Sequence, residues 1–183
     1  MDGQTDDTLE PIAMLIDLVR PTQTAPPPPH NQMPILVTLA EIRLRAGDHA
    51  GNQQWLARAE ALLPLAGAEQ ATASKHIQLG RALALQSLGQ DQAALTTMGQ
   101  LCKAGDLPLD AVLMQLNCVR SLAATGRNSE ALELVQRALP VLTKSVGSDA
   151  PNTRRARQLL ESLRAPGGYK PPPWHPSQIF YAF

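Results

Sequence analysis

Between Val112 and Gly147 apolar residues recur twice at helical spacing. Val112, Leu116, Val119 and Ala123 fall at i, i+4, i+7 and i+11, and Ala131, Val135, Ala138 and Leu142 repeat that spacing. Each set marks one buried face of a helix. Thr125-Gly126-Arg127-Asn128 separates them and is too short for anything but a tight reversal. Gly126 can take the left-handed conformation that ends a helix, and Asn128 or Ser129 can cap the next. Glu130 and Glu133 stand near the positive end of that second helix and Lys144 near its negative end, as the helix dipole favours. The pattern predicts an antiparallel helical hairpin.

The same reading extends along the chain. Leu9, Ile12, Ile16 and Val19 predict a short amphipathic helix over residues 8–20, capped by Thr8, with Pro11 in its first turn. Residues 21–34, with prolines at 26 to 29, exclude helix and predict extended polyproline II. That segment reads as a stiff spacer, or as a ligand for a proline-recognition domain. A first hairpin is predicted over 35–46 and 52–64, closed by Gly47, with Asn52 as cap. A second covers 69–88 and 91–104, closed by Gly89, with Ala94, Met98 and Leu101 or Cys102 on one face. The third runs from Asp106, as a cap ahead of Pro108, to Val146. Asp149 can cap a last helix with Pro151 in its first turn. On that helix Ala156, Leu159, Leu160 and Leu163 oppose Arg154, Arg155, Gln158 and Glu161, the two-faced pattern of a terminal cap.

The small residues add a second regularity. Gly126 is followed five residues later by Ala131 and seven later again by Ala138. Gly89 and Ala94 repeat the first interval, with Leu101 in the third place; Gly47, Asn52 and Ala59 repeat both, with Asn52 in place of the first alanine. This pattern resembles the tetratricopeptide (TPR) repeat. The closing glycines recur at intervals of 42 and 37 residues, longer than the usual period of about 34. Lys144 to Thr153, K-S-V-G-S-D-A-P-N-T, looks like the L-G-x-x-H-P-x-T junction of the long-repeat, kinesin-light-chain-like and bacterial branch, with Ala150 where the histidine would stand.

The resemblance implies an all-α fold: helical hairpins stacked as a short right-handed solenoid over residues 35–164. Residues 1–20 would precede it, 21–34 would link, and 165–183 would form a Pro/aromatic tail. It implies a concave groove lined by the first helix of each pair, with Glu41, Arg45, His76, Gln86 and Arg120 facing it. Such a groove takes a peptide or helix of a protein partner, which makes the chain a scaffold or adaptor. The lysine–asparagine clamp that chaperone-binding relatives use is not matched; Asn117 corresponds to one member only. A second expectation is a regulatory TPR region of a larger kinase or transcriptional regulator. A third, an enzyme built from scattered residues, has no recognisable motif.

Composition narrows the function further. At 183 residues the chain suits one domain with a sizeable core. Sixteen basic residues balance sixteen acidic ones, so no surplus charge draws the chain to nucleic acid or an anionic membrane. No apolar run approaches a membrane span. The acidic N-terminus, MDGQTDDTLE, lacks the order of a signal peptide, and a cytoplasmic location is expected. Cys102 and Cys118 are expected as small buried thiols on adjacent helices, with redox pairing as the alternative. His30, His49, His76 and His175 lie apart from one another and from the cysteines, so no metal site is indicated. No phosphate-binding glycine loop and no nucleophile elbow occurs, and no cofactor is implied. Asp6 and Asp7 read as solvated charge. Arg154, Arg155 and Arg157 read as a solvated helix face, with phosphate or nucleic-acid binding as the weaker option.

The last stretch, APGGYKPPPWHPSQIFYAF, is different material. It holds five of the six aromatic residues of the chain: Tyr169, Trp174, Phe180, Tyr181 and Phe183. A solvated tail does not concentrate ring surface in this way. The tail is expected to fold back on the helical body, to dock on a partner, or to stay solvated. In the first two cases Trp174 and Phe180 bury their rings in a groove, in cis or in a second copy, which would make a homo-oligomer.

Overall fold

The computed structural model describes residues 29–103 and 108–180, and all its regular structure is helical, with no strand among the described residues. The expected helix over 8–20, the prolines at 26 to 28 and the cap at Asp106 lie outside the described residues. The helices are α1 (Pro29–Arg45), α2 (His49–Leu62), α3 (Gln70–Ser87), α4 (Asp91–Met98), α5 (Leu109–Leu116), α6 (Cys118–Ala124), α7 (Asn128–Val146) and α8 (Pro151–Arg164). Two compact units divide between Gly80 and Arg81, inside α3.

Three of the turns are built alike. After α1, the Gly47 N–H donates to Leu44 O (3.0 Å) and the Asp48 N–H to Arg43 O (2.9 Å). Gly89 and Gln90 make the same pair of bonds to Gln86 and Leu85, and Gly126 and Arg127 to Ala123 and Leu122. This is the Schellman closure, and it needs a residue with positive φ at its corner. The three glycines have φ of 76°, 71° and 79°. In each case the next helix begins two residues after the glycine.

In the first unit α1 packs along α2, and Leu36, Leu39, Ala59 and Ile77 form the centre. Trp55, Leu62 and Leu63 pack against this centre, and the Arg58 guanidinium sits 4.7 Å from the centroid of the Trp55 ring. α3 comes close at Gly80, where a Cβ would lie 3.0 Å from Leu56 Cδ2. Two expectations are corrected here. The segment 21–34 is not extended throughout, because α1 starts at Pro29 and runs through Pro34. A proline at a helix start loses no bond, whereas one further in costs about 3 kcal/mol. Met33 and Leu36 are buried at 2% and 1% exposure, each worth about 1.5–3 kcal/mol, which offsets that cost. The second helix is capped by Asp48, whose side chain accepts from the Gly51 N–H at 2.8 Å, and not by Asn52. Asn52 lies inside the helix, fully buried, and donates from Nδ2 to Ala40 O at 2.8 Å.

In the second unit α4 packs on α6, α5 and α6 pack on α7, and α7 packs on α8. Both stripes read from the sequence are buried throughout: Val112, Leu116, Val119 and Ala123, and Ala131, Val135, Ala138 and Leu142. Several ends differ from expectation. The second half of the second hairpin stops at Met98 and continues as a 3-10 turn, Gly99–Cys102, because Gly99 leaves the helix at φ 44°. Neither Asn128 nor Ser129 caps α7, whose flanking residue is Arg127. Ala150 rather than Asp149 precedes α8, its extended backbone placing Pro151 at the first helical position. Cys102 and Cys118 form a disulfide (Cα–Cα 5.7 Å), which overturns the expectation of free thiols. The 3-10 turn carries Cys102 against the start of α6, a pairing across 16 residues that no local spacing announces.

Candidate peptide-docking site

The site is built where one expected helix is in fact two. The α-helical run from Leu109 is interrupted at Asn117, whose N–H reaches back three residues to Met114 O (3.2 Å). Its carbonyl is taken by the Gln86 side chain, Nε2 to Asn117 O at 2.8 Å. Gln86 Nε2 also donates to Ser121 Oγ (2.9 Å), and Ser121 Oγ donates to Asp91 Oδ1 (2.7 Å). Gln86, Asn117 and Ser121 are buried, so this network satisfies groups that would otherwise be costly to bury. It also fixes the Asn117 side chain. Nδ2 donates to Leu113 O at 3.0 Å, back along its own helix.

The tail completes the site. After α8, Gly167 and Gly168 turn the chain at φ of 94° and 70°. The following prolines run without regular structure to a single 3-10 turn, Pro176–Gln178, opened by His175, whose ring accepts from the Ser177 N–H. Ile179 and Phe180 then reach the interruption at Asn117. Asn117 Nδ2 donates to Phe180 O at 3.0 Å, and the Phe180 N–H donates to Asn117 Oδ1 at 2.8 Å. One amide side chain thus pairs with both main-chain groups of a single tail residue. Arg155 of α8 donates from Nη1 to Ile179 O at 2.8 Å and lays its guanidinium 4.2 Å from the centroid of the Phe180 ring. Arg120 of α6 donates from Nη1 to Pro172 O (2.6 Å) and to Gln178 Oε1 (3.0 Å). Ile179 and Phe180 are 4% and 3% exposed. A pocket of about 200 Å³ remains between tail and helices, lined among others by Leu83, Leu116, Val119, Leu159, Tyr169 and Trp174. Burial pushes the Tyr169 phenol above its ordinary value, against the opposing pull of Arg120 and Arg155.

Of the groove residues expected from the repeat register, Gln86 and Arg120 meet at this site. Glu41 and Arg45 lie on α1 and His76 on the first-unit part of α3; none of the three belongs to the tail site. Burial raises the Glu41 carboxyl above its usual value, and Arg45 partly counters this. Of the tail aromatics, Phe180 is buried, Tyr169 and Trp174 are half-buried against the pocket, and Tyr181 and Phe183 lie outside the described residues. The arginine trio divides. Arg154 donates to Asp149 O and Arg157 to Ser148 O, while Arg155 turns to the tail. Asn117 and Arg155 hold Phe180, whereas sequence alone offers them only as a lone clamp member and part of a solvated helix face. The signal that could have found them is pairwise: an asparagine at mid-helix and an aromatic-rich tail each need a polar or apolar partner. Among the described residues no group of three or more His, Cys, Asp or Glu is placed to hold a metal ion, and no helix is long and apolar enough to cross a membrane.

No family model matches the chain, and no curated protein or solved structure is significantly similar to it.

Proposed function

We infer that the chain is a TPR-like helical repeat module that acts as a protein–protein interaction scaffold or adaptor, and that its second unit grips an extended polypeptide segment. The observation that supports this is the double bond between the Asn117 side chain and the main chain of Phe180. A side chain that reads N–H and C=O of one residue recognises an extended backbone whatever its sequence. The ring slot beside it adds selectivity. The burial of Ala131 and Ala138 and the three alike glycine turns support the repeat reading. The tail in this reading is an occupant of the site in cis, and a partner must displace it.

The test is display of a random peptide library against the full chain carrying Phe180→Ala, which removes the ring that anchors the tail. Enrichment of peptides with a shared aromatic position is expected, and Asn117→Ala in the same chain should abolish it. A library that shows no enrichment, or enrichment indifferent to Asn117, would overturn the reading.

A further inference from the structure

Two guanidinium groups border the docked tail, Arg120 and Arg155, and the Asp91 carboxylate lies 3.9 Å from Arg120 Nε. The tail meets them with neutral oxygens only, the main-chain carbonyls of Pro172 and Ile179 and the amide oxygen of Gln178. Residues 171–180 contain no Asp or Glu. Arg120 is left incompletely satisfied. Its Nε is buried without a hydrogen-bond partner, and Asp91 Oδ1, 3.9 Å away, is already the acceptor for Ser121 Oγ. A guanidinium only 15% exposed, whose Nη1 meets the tail through neutral acceptors alone, gains a charge-assisted bond when a carboxylate replaces one of them.

We propose that the partner of this groove is an extended segment of the form glutamate–aliphatic–aromatic, with its carboxylate in the place of the Gln178 amide, and that the tail is a neutral competitor for the same seat. This rests on the groove being a peptide site. The bonds from Asn117 and Arg155 go to main-chain atoms and admit any extended segment. The Arg155 guanidinium over the ring favours an aromatic there, and Arg120 Nη1, 3.0 Å from Gln178 Oε1, reads the residue two positions before it. Glutamate has the length of glutamine and turns that neutral bond into a charge-assisted one. It forfeits one bond, the exposed donation from Gln178 Nε2 to Pro173 O at 3.1 Å, which is the weaker of the two. The carboxylate paired with Arg120, that of Asp91, stands on the Nε side of the guanidinium, whereas the newcomer would meet Nη1.

The experiment is a fluorescence-anisotropy titration with two amidated peptides, one with the sequence of residues 171–180 and one with Gln178→Glu. The protein is the full chain carrying F180A. The acidic peptide should bind about fivefold tighter. The gap should narrow as salt rises and close when R120Q is added. Equal or weaker binding of the acidic peptide, with the parent peptide bound through Asn117, would overturn the proposal and leave the groove reading standing. Failure of both peptides to bind would overturn both. The unaltered chain serves as the second protein, so the test does not hang on the folding of F180A. There the tail competes, and the same ranking is expected at weaker affinity.

Discussion

The Asn117 amide donates twice and accepts once, and all three directions are used: Leu113 O, Phe180 O and the Phe180 N–H. Asn117→Ala removes both tail bonds and exposes two main-chain groups. The expected cost is about 1–3 kcal/mol in the unfolding free energy reported by Trp174 emission. Asn117→Asp should cost more, because a carboxylate oxygen then faces the Leu113 and Phe180 carbonyls. If alanine and aspartate variants unfold with the parent, the amide has no such role. At Glu41 the sign is different. Burial raises its folded pKa above the unfolded value, so the protonated carboxyl is the form that favours folding. That contribution is fully present below the unfolded pKa, near 4.3, and is lost as pH rises through the raised folded value. Glu41→Gln is therefore expected to raise the melting temperature at pH 7 and to make little difference below about pH 4. Melting curves at the two pH values decide it, and an unchanged or lowered melting temperature at pH 7 would contradict the assignment.

Among the elements, the Cys102–Cys118 bond ties the 3-10 turn after α4 to the first residue of α6, next to Asn117. The Gln115 side chain ties the same neighbourhood to Lys103 O. Closing a loop of this length contributes about 3 kcal/mol through the unfolded chain. Reduction should lower the denaturation midpoint accordingly, with helical content retained at low denaturant. A midpoint indifferent to reductant would contradict the bond. A cytoplasmic location would keep the pair as thiols, so differential alkylation in the native cells bears on both questions. The same elements show what could be read from the sequence. The glycine turns were legible because positive φ at a Schellman corner leaves little choice of residue. The stripes of α7 and α8 were legible because each helix buries one face; those of α5 and α6 lie in helices buried nearly all round. Three features were not. Pro34 lies inside α1 because burial of its neighbours outweighs propensity. The interruption at Asn117 depends on Gln86, 31 residues away. The disulfide depends on where a short 3-10 turn sends Cys102. Each is set by a contact distant in sequence, and local pattern carries no trace of it. The seat of the tail was legible only in part. Gln86 and Arg120 follow from helix register, whereas Asn117 and Arg155 acquire their roles only once Phe180 arrives.

Across the whole molecule, residues 171–180 occupy a groove of the second unit, seated on Asn117. This segment has no helix or strand of its own beyond one 3-10 turn, so only tertiary contacts can protect its amides. The Phe180 N–H is the most telling of them, because its acceptor is a side chain 63 residues away. Hydrogen–deuterium exchange, resolved to the Phe180 amide in the full chain, is the direct measurement. The docked tail predicts slow exchange at Phe180 in the parent chain and fast exchange in Asn117→Ala, with the buried face of α7 protected in both. Exchange at the rate of an unstructured peptide in the parent chain, or protection that survives loss of the Asn117 amide, would contradict it.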